Sequence, residues 1–220
     1  MSSKVLFTAT ALLLAVVFAV AIYVEQGRKA PAPAPAADRP VAAATAQLVR
    51  PHAATLGRAE APVTLVEFLD PACETCALFY PEVKRMLAAN PERLRLVMRH
   101  VPFHPGSDDV VAMLEASKRQ GKYWEALEAL LRQQDRWVHN HRASPDDALA
   151  VLGGAGIDVA RIRADMQQPQ VRDAVAQDVA DAKALKVTKT PEYFVNGKPL
   201  PKFGLDELKT MVNGALRASR

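Results

Sequence analysis

The chain has 220 residues, half of them hydrophobic, with 28 basic and 24 acidic side chains and a net charge of +4. Residues 1–46 carry four basic and two acidic side chains and the remainder carries 24 and 22, so no segment has the concentrated positive charge that a phosphate backbone requires. Nucleic acid is excluded as a partner on that ground, and the length fits one ordinary domain with extensions.

Val5 to Val24 is an uncharged apolar run of 20 residues. As a helix it would be roughly 30 Å long, the thickness of a bilayer core. A cleaved signal peptide has a shorter apolar stretch, of about 7–15 residues. A retained anchor at residues 5–24 is therefore favoured over a cleaved signal, within an anchor or signal segment at 1–27. The flanking charges, Lys4 on one side and Arg28 and Lys29 on the other, do not set its orientation. Residues 28–46 are rich in Pro and Ala, cannot bury a core, and read as a semi-rigid spacer. Residues 47–220 are left for the globular domain.

In that domain Val63–Leu69 is β-rich and predicts a buried strand, which Asp70-Pro71 ends. From Cys73 to about Ala89, apolar residues recur at helical spacing. Leu94–Val101 alternates and predicts a second strand, parallel to the first by the handedness rule for strand–helix–strand units. Residues 107–185 read as consecutive helices, with Ser144-Pro145 a strong helix start. Tyr193–Val195 and Lys198–Leu200 flank Asn196-Gly197, a hairpin signal, and Leu205–Leu216 closes the chain as an amphipathic helix. The predicted order is βαβ, helical insertion, β-hairpin, α, an α/β arrangement.

The chain has two cysteines, Cys73 and Cys76, three positions apart. A disulfide scaffold needs more, at wider spacing, and a structural zinc site commonly needs two such pairs. Redox chemistry is the first reading. Cys73 falls where strand gives way to helix, so the partial positive charge and free N–H groups of the helix start favour its thiolate. Cys73 is assigned as the attacking sulfur and Cys76 as the resolving one. Two buried packing cysteines are the bland alternative.

The stretches LGRAEAPVTLVEFLDPACETC, RHVPFHPGSDDVVAMLEASKRQGKYWEAL and VTKTPEYFVNGKPL together resemble the DsbA-type branch of the thioredoxin superfamily. The resemblance runs from about Thr55 to Leu216. It implies a thioredoxin fold with a helical insertion, about residues 105–186, between the βαβ half and the C-terminal ββα half. Pro191 matches the superfamily's cis-proline facing the disulfide, and the preceding Thr190 would offer backbone hydrogen bonds to a substrate chain. Glu67, six residues before Cys73, matches a buried acid that would accept a proton from Cys76; a partly exposed strand glutamate is the alternative. Glu74-Thr75 departs from the Pro-His pair of strongly oxidising members. An ionised Glu74 would repel the Cys73 thiolate, so a weaker oxidant is expected.

The implied function is thiol–disulfide exchange with exported protein thiols or disulfides, recycled by a membrane or periplasmic redox partner, in the bacterial periplasm or cell envelope. No cofactor and no metal are expected. The alternative is a periplasmic metal-handling or chaperone-like module without redox turnover. His100 with His104 and His139 with His141 form no recognised ligand frame and read as solvated loop histidines. Arg93, Arg95 and Arg99 alternate and read as an exposed strand face. Tyr123, Trp124 and Leu127 read as a core stripe.

Overall fold

The computed structural model describes residues 46–219. The expected anchor at 5–24 and all but the end of the Pro/Ala spacer lie outside the described residues. Among the described residues no helix is long and apolar enough to cross a membrane.

The centre is a five-stranded sheet in the order β1-β3-β2-β6-β7. Its strands are β1 (Ala54–Leu56), β2 (Val63–Leu69), β3 (Leu94–His100), β6 (Glu192–Val195) and β7 (Lys198–Pro199). β2 and β3 run parallel, joined by helix α1 (Glu74–Ala89); β1, β6 and β7 pair antiparallel to their neighbours. This is the thioredoxin-type mixed sheet. Between β3 and β6 lie α2 (Ser107–Ser117), α3 (Tyr123–Arg132), α4 (Pro145–Gly154), α5 (Val159–Asp165) and α6 (Pro169–Ala184), with a small hairpin of β4 (Val138–His139) and β5 (Arg142–Ala143). α7 (Leu205–Ala218) follows β7.

The two central strands are covered on both faces, so their period of two separates two cores. Val63, Leu65 and Leu69 of β2, with Leu94, Leu96 and Met98 of β3, pack in the cluster that holds Phe79, Tyr80 and Val83 of α1. Val66 and Phe68, with Val97, face the other way, toward Ala182 of α6. Register therefore decides what each polar strand residue meets. Glu67 falls on the α1 side and Arg99 on the α6 side.

That geometry overturns the exposed arginine face at Arg99, while Arg93 and Arg95 stay half-buried. Arg99 is 0% exposed. Its guanidinium pairs with Asp178 and Asp181 of α6 at 2.7 Å each. The physical reason is what covers that face of the sheet: α6 and the chain before β1, whose Gln47 and Leu48 carbonyls accept from the Arg99 guanidinium. His100 is likewise buried rather than solvated. Its Nε2 lies 2.7 Å from the Tyr123 hydroxyl, and burial pushes its pKa down to about 4, so the ring is neutral. His139 and His141, read as loop histidines, belong to the β4–β5 hairpin, whose turn residues Asn140 and His141 both lie in the left-handed region.

Candidate functional site

Asp70 and Pro71 stop β2, and the chain turns into α1 with Cys73 as its N-cap. Asp70 is wholly buried and ties this turn together. Its Oδ1 accepts from the N–H of Ala72, two residues on, an Asx-type turn. Its Oδ2 accepts from the backbone N–H groups of Phe103 and His104, from the Ser107 hydroxyl and from His104 Nδ1–H. One carboxylate thus locks the strand end, the loop after β3 and the start of α2 to one another.

The N-cap position leaves Cys73 at the lip of the helix start, buried but still 6% accessible, while Cys76 one turn on is 0% accessible. Both are free thiols. Their acidities diverge. Cys73 is pulled down to about 6, first by the hydrogen bond from the Cys76 thiol, against the opposing effect of burial, with help from Thr190 and the backbone N–H groups of Cys76 and Thr75. Cys76 is pushed well above the ordinary thiol range by burial, by its bond to Cys73 and by the nearby charge of Glu67. The outer sulfur is the thiolate at neutral pH and the inner one holds the proton.

The Thr190–Pro191 bond is cis, and the Thr190 carbonyl lies 3.3 Å from Cys73 Sγ. β6 begins at the next residue and pairs with β2, which carries Pro191 to the helix start. Glu67 is completely buried beneath the pair. The Tyr193 hydroxyl donates to its Oε1 at 3.1 Å, while its Oε2 has no hydrogen-bond partner among the described residues. Burial drives the Glu67 carboxyl up to about 8, against the lowering effect of Tyr193. Its exposed-strand alternative is therefore not what the fold contains. Glu74 points outward, its carboxylate 3.0 Å from His141 Nδ1, and Thr75 is half-buried and lends its N–H to Cys73.

All seven residues singled out from the sequence thus lie around this turn and the strands beside it. Four others were missed. Asp70 was legible as an Asx turn but not as a hub. Tyr193 carried no signal beyond strand propensity. His104 and His141 come from two different histidine pairs, and only the tertiary fold brings them to Glu74.

A sequence-family profile described as Thioredoxin matches residues 50–213. A thioredoxin-like oxidoreductase from Silicibacter pomeroyi DSS-3 superposes with a TM-score of 0.67 at 31% identity, covering 76% of this chain and 94% of that one. Wolbachia pipientis alpha-DsbA1 gives a TM-score of 0.67 at 16% identity, over 78% and 94%, and shares the fold. The Na(+)/H(+) antiporter NhaA of Herminiimonas arsenicoxydans is 32% identical over 164 residues, 74% of this chain but 25% of that protein. The chain spans about a quarter of the length of that curated relative, so the match describes a shared domain and not shared transport.

Proposed function

The chain belongs to the thioredoxin family, and from that premise we propose that it is a thiol–disulfide oxidoreductase of the DsbA-like branch, with Cys73 and Cys76 as its redox couple. The observation that carries this reading is the inequality of the two sulfurs: one at a helix cap and acidic, the other sealed and protonated.

The exchange balances as follows. The Cys73 thiolate attacks one sulfur of a substrate disulfide, a mixed disulfide forms, and the other substrate sulfur leaves as a thiolate. Cys76 then gives its proton to Glu67 in its ionised form and attacks Cys73 Sγ. The mixed disulfide breaks, the Cys73–Cys76 disulfide forms, and the second substrate thiol is released. The substrate is reduced by two electrons and the protein oxidised by two. Run backward, the same steps oxidise a substrate dithiol. Thr190 and Pro191 would align an extended substrate chain beside Cys73.

The balance of direction follows thiolate stability. A Cys73 value of about 6 is depressed, but less than the ≈ 3.5 of DsbA. A less stabilised thiolate means a weaker oxidant. We place the protein outside the cytoplasm, acting on exported thiols or disulfides and recycled by a redox partner there, in keeping with the apolar run at residues 5–24 and the compartments in which disulfides persist.

Three measurements test this. Thiolate absorbance and alkylation rate of reduced protein should titrate with a midpoint near pH 6. Cys73→Ser should lose all exchange activity, and Cys76→Ser should accumulate the mixed disulfide. Equilibration against glutathione should give a potential below the roughly −120 mV of DsbA. Full exchange activity in Cys73→Ser would end the redox reading; a potential at the DsbA value would end the weaker-oxidant reading alone.

A further inference from the structure

The rim of the cysteine turn carries a group of side chains for which thiol chemistry has no use. Glu74, His104 and His141 each place one ligand atom within 4.8 Å of the others. They come from three elements: the first residue of α1, the loop after β3, and the tip of the β4–β5 hairpin. The fold holds these elements in register. The Ala143 N–H donates to the Pro105 carbonyl at 2.9 Å, which fastens the hairpin base to the loop that bears His104. Gly106, with φ of +83°, makes that contact close; a Cβ there would stand 2.6 Å from the Ala143 carbonyl oxygen.

His104 is oriented in a specific way. Its Nδ1–H donates to the buried Asp70 carboxylate at 2.7 Å, since a carboxylate only accepts, which leaves Nε2 as the ring nitrogen available to a cation. A histidine whose second nitrogen is fixed by a carboxylate is the usual outer-shell arrangement of a metal-ligating imidazole. His141 sits at a turn position with φ of 58°, where Asn or Gly would be less strained, and its Nδ1 faces the Glu74 carboxylate at 3.0 Å. Two imidazoles and one carboxylate suit a borderline first-row cation rather than calcium or magnesium, which take oxygen ligands.

We propose that Glu74, His104 and His141 form a binding site for a divalent first-row transition ion, with Zn2+ the reference case, at the mouth of the Cys73–Cys76 turn. Two neutral imidazoles and one carboxylate leave at least one coordination position open to solvent or to a substrate group. The site does not depend on the redox reading, since none of its three ligands is a sulfur.

The test uses the full chain carrying Cys73→Ser and Cys76→Ser, which removes the thiolates as competing ligands. Calorimetric titration with Zn2+ should show one equivalent bound. Co2+ in its place should give the visible absorption of a low-symmetry nitrogen and oxygen site. Adding His141→Asn, which suits a left-handed turn position, should weaken Zn2+ at least tenfold; the side chain is 78% exposed and its loss leaves the fold intact. His104→Gln should do the same. His139→Asn, in the same hairpin, should leave affinity unchanged. Absence of Zn2+ binding in the cysteine-free chain, parent affinity in His141→Asn, or an equal loss in His139→Asn would each overturn the proposal.

Discussion

Glu67 is an acid placed where water does not reach it, and its chemistry follows from that. An isolated buried carboxylate is costly, so the group is neutral until about pH 8. Its ionised fraction, which grows as the pH rises toward 8, can take the Cys76 proton, and the transfer then replaces one buried negative charge by another. Glu67→Gln retains an acceptor for the Tyr193 hydroxyl but cannot take a proton. The second step, attack of Cys76 on the mixed disulfide, should slow by about 10²-fold, a typical magnitude for a lost general base. Its pH–rate profile should also lose the inflection near 8, while Cys73 alkylation keeps its own near 6. Rapid mixing of the reduced variant with a disulfide substrate separates the two steps. An unchanged second step would leave Glu67 a packing residue.

At the scale of elements, α6 is bound to the sheet through charge. Arg99 of β3 meets Asp178 and Asp181, Arg50 reaches Asp181 at 2.6 Å, and His52 reaches Asp178 at 2.6 Å. Burial raises the Asp178 pKa, but His52 and Arg99 outweigh it and hold the carboxyl below its ordinary value. Removing Arg99 leaves two buried carboxylates each short of its central partner, with only Arg50 on Asp181 and His52 on Asp178. Arg99→Met should therefore cost about 3–5 kcal/mol in chemical denaturation. Combining it with Asp178→Asn and Asp181→Asn should restore part of that loss. The elements themselves were legible in the sequence: the apolar runs Val63–Leu69 and Leu94–Val101, the Ser144-Pro145 start and the Asn196-Gly197 turn all encode local structure. What joins them was not. Arg99 alternates with its neighbours as any surface strand residue would, and only the chain before β1 and the face of α6 reveal that its surroundings are protein. The same holds for the site. Cys73 and Cys76 announce themselves by spacing, Pro191 by resemblance, but the joining of His104 to His141 depends on a hairpin whose two-residue strands are too short to leave a pattern.

For the molecule as a whole, the redox state and the folding equilibrium are linked through one proton. Cys73 has an ordinary value of 9.0 and a folded value of about 6. A depressed acid stabilises the fold fully above its unfolded value, and that contribution is lost as pH falls through the folded value. The disulfide form lacks the group. Glu67 is present in both forms, so its pH dependence largely cancels in the comparison. The melting temperature of the reduced protein should therefore rise relative to the oxidised protein between pH 6 and pH 9, as read by calorimetry on both forms. A flat difference across that range would mean the Cys73 thiolate is not stabilised by folding.

The depth difference between the two sulfurs also makes the chain its own gauge of breathing. There are two cysteines in all, one at the lip and one sealed. A bulky maleimide meets Cys73, 6% accessible, before Cys76, which is wholly covered and is met only when α1 lifts from the sheet. The lag between the first and second label therefore counts opening events at the heart of the domain, on the timescale of local unfolding, with no probe engineered into the molecule.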